Sequence, residues 1–158
     1  MAPDLLAAYA NVATAAIALV TALIIVWQIR EMRRSTSATA FKAAYDILQT
    51  DRHREEREFV MSVLKEKPFT DWNDDDKKRA ERVCQSYDVI AIMCKHGFLP
   101  TAAIAEEWGD SLRKTWSVLA PLVSAYRVER NSKEFWDDFE WLAGEAQKYQ
   151  KHVYGGHA

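Results

Sequence analysis

The sequence predicts an all-α protein: one N-terminal transmembrane helix that continues into a cytosolic bundle of about five helices. Three observations carry that reading. Leu5–Ile29 is a run of 25 residues with no ionised side chain. The chain has only five Gly and four Pro, and its β-branched runs are confined to that segment, as expected for helices rather than short strands and turns. After Arg34, apolar residues recur at the three- and four-residue spacing of amphipathic helices.

As a helix, the apolar run reaches about 37 Å at ~1.5 Å per residue, enough to cross a ~30 Å hydrocarbon core with some tilt. A cleaved signal peptide needs a basic leader and a shorter apolar run. Here the leader is MAPDL, with Asp4 and no Lys or Arg. The basic residues Arg30, Arg33 and Arg34 follow the run, opposed only by Glu31. By the positive-inside rule that end faces the cytoplasm. The expectation is a single-pass inner (plasma) membrane protein with its N-terminus outside and its domain cytoplasmic. Tyr9 and Trp27 are placed to act as interfacial anchors.

Within the span, Asn11, Thr14, Thr21 and Gln28 are separated by 3, 7 and 7 residues. They share one helix face, with Ala7 and Ala18 completing the row. In lipid, small and polar residues supply close packing and interhelical hydrogen bonds, so this face is the candidate seam of a homo-oligomer or of a small pore. The competing reading is that the Thr and Gln side chains bond their own backbone.

The chain divides into an anchor at 1–34, a helical domain at 35–151 and a disordered tail at 152–158. STSATA, after Arg34, holds no Gly or Pro, and the stripe resumes at Phe41, Ala44, Tyr45 and Leu48. One long helix from about Pro3 to Gln49 follows, the alternative being a hinge at Ser35 to Thr39. Thr50 or Asp51 caps the next helix, whose stripe is Phe59, Val60, Val63 and Leu64 and which Pro68 ends. In its run DRHREERE, His53, Glu55, Glu56 and Glu58 read as a solvated, charge-paired face rather than a metal site. Phe69 and Trp72 plug the bundle end.

Asn73 or Asp74 caps a helix running to His96. Asp74, Asp75 and Asp76 oppose its positive end and lack the alternation and Gly of a calcium loop. From Val83 to Cys94 this helix is apolar nearly all round, which marks it as central. Asp88 in that company needs a cationic partner, and Arg127 is the first candidate. Gly97 ends the helix in the left-handed position. Another helix starts at Pro100 or Thr101. Gly109 interrupts or bends it, and Pro121 bends or breaks it near Val118. Asn131 and Glu134 have capping-box spacing and start the last helix, with Phe135, Trp136, Phe139, Trp141, Leu142 and Ala146 on its core face. His152 and His157 fall in the tail.

The sequence of Tyr87-Asp88, Gly97-Phe98-Leu99, Trp108, Trp116, Pro121, Arg127 and Phe135-Trp136-x-x-Phe139-Glu140 resembles an uncharacterised bacterial family of small, single-span, membrane-anchored helical proteins, a domain of unknown function. The resemblance covers nearly the whole chain. It implies Trp108, Trp116, Arg127, Trp136 and Glu140 as signature positions, read first as packing contacts. It implies no catalytic residue.

The chemistry that remains is sparse. No phosphate-cradling, dinucleotide, zinc-protease, dithiol or serine-nucleophile motif occurs. Cys84 and Cys94 lie ten residues apart on one helix, about 15 Å and beyond disulfide reach, so both read as buried thiols. Cys94 and His96 lack a second pair for zinc. Of 21 Lys and Arg, 18 follow Arg34, against 21 of the 23 Asp and Glu. That surplus of three negative charges gives no nucleic-acid footprint. No cofactor, metal or catalytic residue is expected. The leading expectation is a membrane-tethered, self-associating interaction module with a possible protein partner. The alternatives are an oligomeric membrane effector, toxin-like or in phage defence, and a helical enzyme or ligand sensor using Asp88 and Arg127.

Overall fold

The computed structural model describes residues 3–155, and their side chains apart from those of residues 3–8, 10, 33, 34 and 154. Ala7, Arg33 and Arg34 therefore lie outside the described side chains, and Gly156 and His157 outside the described residues. Five α-helices are present among the described residues: α1 (Pro3–Gln49), α2 (Asp51–Ser62), α3 (Asp74–Lys95), α4 (Thr101–Glu129) and α5 (Asp137–Tyr154). Two 3₁₀ turns, Leu64–Glu66 and Phe69–Asp71, join α2 to α3.

The contacts divide the chain into two units, Met1–Ala38 and Thr39–Ala158. The first is the N-terminal part of α1. From Asn11 onward this helix is long and apolar enough to cross a membrane, and none of its most apolar stretch is buried. Val12, Ile17, Leu19 and Leu23 are all exposed.

The second unit is built on a core whose largest buried side chains include Tyr87, Phe139, Leu48, Leu64 and Ile90. Its chain starts with the last turns of α1, where Ala40, Ala44 and Leu48 repeat every fourth residue and are buried. Phe41 and Tyr45 place their rings 5.7 and 6.2 Å from Trp108. Val60 of α2 and Leu64 of the first 3₁₀ turn are buried, but Val63 between them faces solvent. The helix ends at Ser62, six residues before Pro68, and Val63 caps it and leads into the first 3₁₀ turn. Trp72 is buried, edge-on to Phe69 at 5.2 Å, and its Nε1 donates to the Lys67 carbonyl at 3.1 Å.

Helix α3 opens on a capping box. Asn73 Oδ1 accepts from the Asp76 amide at 2.9 Å, and Asp76 Oδ2 accepts from the Asn73 amide at 3.0 Å. Lys67 also bonds Asp76 Oδ2 at 2.6 Å. Those groups satisfy donors a helix start otherwise leaves orphaned. Val83, Cys84, Tyr87, Ile90 and Ala91 are buried. The helix is not buried all round, because Val89 and Ile92 face outward. Gly97 closes it at φ 72°, a conformation that favours glycine.

Helix α4 is continuous through both Gly109 and Pro121, so neither residue interrupts or breaks it. Pro121 and Ser117 lie on its exposed side, so the Ser117 carbonyl that loses its donor can turn to water. Leu119, Leu122 and Val123 hold the other side in the core. At Gly109 a Cβ would lie 3.6 Å from Ala146 Cβ, which marks the close approach of α4 and α5. Helix α5 begins at Asp137, six residues later than expected, since Asn131 and Trp136 adopt positive φ of 48° and 53°. It runs through Tyr154, three residues into the segment expected to be disordered.

Candidate functional site

In the first unit, Asn11, Ala18, Thr21 and Gln28 are exposed on α1, as is Thr14. Thr21 Oγ1 donates to the Ile17 carbonyl at 2.8 Å. That is the backbone bond the competing reading of the seam anticipates. Its oxygen keeps a lone pair for a neighbour, whereas the carboxamides of Asn11 and Gln28 bring both donor and acceptor.

In the second unit, the expected Asp88–Arg127 pair does not form. Asp88 Oδ1 accepts the Phe139 amide at 3.1 Å. The reason lies at the start of α5. Its N-cap is Trp136, at φ 53° and ψ 36°, which has no side-chain acceptor to offer. Asp88 supplies from α3 the acceptor that a local Ser or Asp would otherwise provide. Burial pushes the Asp88 carboxyl above the usual aspartate range, and the nearby Asp138 and Asp137 add to that. The Phe139 amide and Lys95 oppose the rise. Lys95 in turn pairs with Asp138.

Arg127 is committed elsewhere. Its Nε donates to the Phe135 carbonyl at 2.9 Å and its Nη1 to Glu140 Oε2 at 2.8 Å. The guanidinium fork thus latches the end of α4 to the turn before α5 and to the first turn of α5. Beside it the Tyr126 hydroxyl donates to Glu81 Oε1. Burial and that carboxylate push the phenol up to about 12. Arg130 lies 4.3 Å from the Phe135 ring centre and 5.3 Å from that of Tyr126.

These groups rim an open cleft of about 540 Å³. Glu81, Asp88 and Glu134 contribute carboxylates to its lining, Arg130 a guanidinium and Trp136 an aromatic wall. The Ser132 hydroxyl and the Gln85 carboxamide complete its polar lining.

The signature positions separate into two places. Trp116 stands edge-on to Phe139 at 5.1 Å. Trp136 lies against Tyr126 at 5.9 Å and Phe135 at 4.2 Å, and Glu140 holds Arg127. Those four gather where α4 meets α5. Trp108 instead secures the last turns of α1. Each of the five makes a packing or latching contact, and Trp136 also lines the cleft. Cys84 and Cys94 are buried free thiols, and no cluster of metal-ligating side chains occurs among the described residues.

One polar network was missed by sequence reasoning. Glu56 is buried, at 6% exposure, rather than on a solvated face. Arg79 Nε reaches its Oε2 at 2.6 Å, and Arg82 Nη2 and Nε reach its Oε1 at 2.6 and 2.9 Å. Burial raises the Glu56 carboxyl, but the bonds from Arg79 and Arg82 outweigh it and hold the group below its ordinary value. The signal was present: Glu56, Val60 and Leu64 repeat every fourth residue, so the apolar stripe of α2 runs back through Glu56. His53 is likewise half-buried, and its Nδ1 has no hydrogen-bond partner among the described residues.

Taken together, the chain is an all-α protein that joins one long apolar helix to a helical domain. It belongs to the DUF4760 family, a domain of unknown function, whose profile matches residues 12–146. No curated protein and no solved structure matches it.

Proposed function

We propose that the protein is a membrane-tethered helical interaction module. Its N-terminus lies outside, its domain lies at the cytoplasmic face of the inner (plasma) membrane, and it self-associates through the span. The observation that carries this reading is the reach of the family match. It begins at residue 12, inside the apolar run, and ends at residue 146, in α5, so the family shares the anchor and the domain as one unit. An apolar helix with none of its most apolar stretch buried calls for a hydrophobic surrounding. Arg30, Arg33 and Arg34 give the direction. The row Asn11, Thr14, Ala18, Thr21 and Gln28 gives the seam. The cleft beside Asp88, lined by carboxylates, a guanidinium and aromatics, offers a surface on which a partner can dock.

Alkaline carbonate extraction of membranes, with protease accessibility of tags at either end, tests the tether. Retention in the membrane with only the N-terminal tag cut from outside is expected; release into the supernatant overturns it. Cross-linking in detergent tests the seam. The wild type is expected to give oligomers that Asn11→Leu with Gln28→Leu abolishes, and a strictly monomeric wild type removes self-association. Collapse of the membrane potential on expression would move the reading to an effector.

A further inference from the structure

We propose that a second cleft, between α2 and α3, binds a phosphate group through Arg52, His53 and Arg82. This cleft has a volume of about 330 Å³, and its lining includes those three residues, Gln85, and an apolar wall of Ile47 and Val89. It adjoins the Asp88 cleft, with which it shares Gln85 and Val89, and stands independently of the membrane reading.

The charge around it is unbalanced. His53 is acted on by Arg52, Glu56 and Arg57 from its own helix and by Arg82 from α3. Two of those guanidiniums, Arg52 and Arg82, line the cleft with the imidazole, and the one carboxylate does not. Glu56 is shared between Arg79 and Arg82, so it neutralises one of two cations. Arg52 has no ion-pair partner among the described residues, and His53 Nδ1 is buried without a hydrogen-bond partner among them, as is Nη1 of Arg57, which stands outside the lining. Buried donors of this kind are ordinarily satisfied. A tetrahedral oxyanion offers several acceptor oxygens to a convergent set of guanidinium and imidazole donors. The volume leaves room for more than the anion itself, and the Ile47–Val89 wall suits the organic part of a phosphate ester. Phosphate of this kind can come from a lipid headgroup or from a soluble compound.

The imidazole reports occupancy. Burial, then Arg57, Arg52 and Arg82, hold His53 below its ordinary value, while Glu56 acts the other way. An anion among the guanidiniums cancels that positive field, and the imidazole then takes up a proton.

The test uses the full-length chain with ¹³C-labelled histidine, its His53 signal assigned from His53→Gln. In detergent micelles, inorganic phosphate is expected to raise the His53 titration midpoint by about one pH unit, and chloride at equal ionic strength to leave it unmoved. Arg52→Ala, an exposed position, is expected to weaken the phosphate response about tenfold. In nanodiscs, phosphatidylcholine with phosphatidic acid is compared with phosphatidylcholine alone. A response to soluble phosphate only assigns a soluble ligand; a response to phosphatidic acid, with or without the other, assigns a lipid headgroup. No response to either, or an undiminished response in Arg52→Ala, overturns the proposal.

Discussion

Asp88 and Phe139 stand on different helices, 51 residues apart, and one hydrogen bond joins them: the Phe139 amide donates to Asp88 Oδ1 at 3.1 Å. This bond lets a helix begin at a left-handed tryptophan. It also couples the central helix α3 to the start of α5, next to the ring of Tyr87 stacked on that of Phe139 at 5.0 Å.

Two substitutions separate the cap from the charge. Asp88→Ala removes the acceptor and is expected to cost about 1 kcal/mol, the ordinary loss of an N-cap. Asp88→Asn keeps an acceptor oxygen and drops the charge. Because the folded state holds the Asp88 carboxyl above its ordinary value, the native protein binds that proton more tightly than the unfolded chain. The wild type therefore loses stability as pH rises from the ordinary aspartate value through the raised one. Asp88→Asn is expected to equal or exceed wild-type stability at neutral pH. Urea melts of both at several pH values check this through their difference; an Asn variant as weak as the Ala variant would show that the charge itself is needed.

The thiols are expected to be silent. Cys84 is buried and its thiol is pushed well above the usual range by burial and by Asp88 and Glu81. Burial raises Cys94 to about 11. Since the thiolate is the reacting species, a thiol-specific reagent at mild alkaline pH should label neither in the native protein and both in denaturant. Prompt native labelling of either would show that α3 opens.

What the sequence revealed follows from how local each signal is. The extent of α1, the Asn73 cap and the Gly97 stop depend on residues within a turn of one another, and all three were legible. Asp88 was recognised as needing a partner, but that partner is a backbone amide, and amides carry no mark in a sequence. Arg127 was a reasonable cation to choose, yet its fork is taken by Phe135 and Glu140. Glu56 was hidden by the alternating charges around it. Pro121 leaves α4 unbroken, and the Ser117 carbonyl deprived of its donor lies on the exposed side, where water can reach it. The start of α5 was placed at Asn131 on capping-box spacing, and the positive φ at Asn131 and Trp136 turned those residues into the approach to the helix.

Gly109 should accept alanine. The new Cβ would meet Ala146 Cβ at 3.6 Å, an ordinary van der Waals distance, and Gly109 lies inside an α-helix with no positive φ. Replacing a helical glycine by alanine gains up to about 1 kcal/mol from helix propensity. Gly109→Ala is therefore expected to raise the thermal midpoint, while Gly109→Leu, which drives a larger side chain into α5, lowers it. Thermal melts of the two variants decide the point, and a destabilised alanine variant would mean that α4 and α5 need to approach more closely than the static contact shows.

The strongest single loss is expected at Glu56. Its carboxylate is buried and joins Arg79 and Arg82 at 2.6 Å each, so Glu56→Gln leaves two guanidiniums facing each other across a neutral amide. Removing one partner of a buried pair costs about 3–5 kcal/mol and of an exposed pair about 0–1 kcal/mol. The arginines keep roughly a quarter to a third of their side chains in solvent, which places the expected loss near 2 kcal/mol. The pH dependence has the sign opposite to that of Asp88. The folded state holds Glu56 below its ordinary value, so its contribution is complete above the unfolded glutamate value and is lost as pH falls through the folded one. Wild type and Glu56→Gln should therefore differ most at neutral pH and converge in acid. Denaturant melts of both from neutral pH into the acid range measure that convergence, and a constant difference across the range would show that Glu56 acts through its shape rather than its charge.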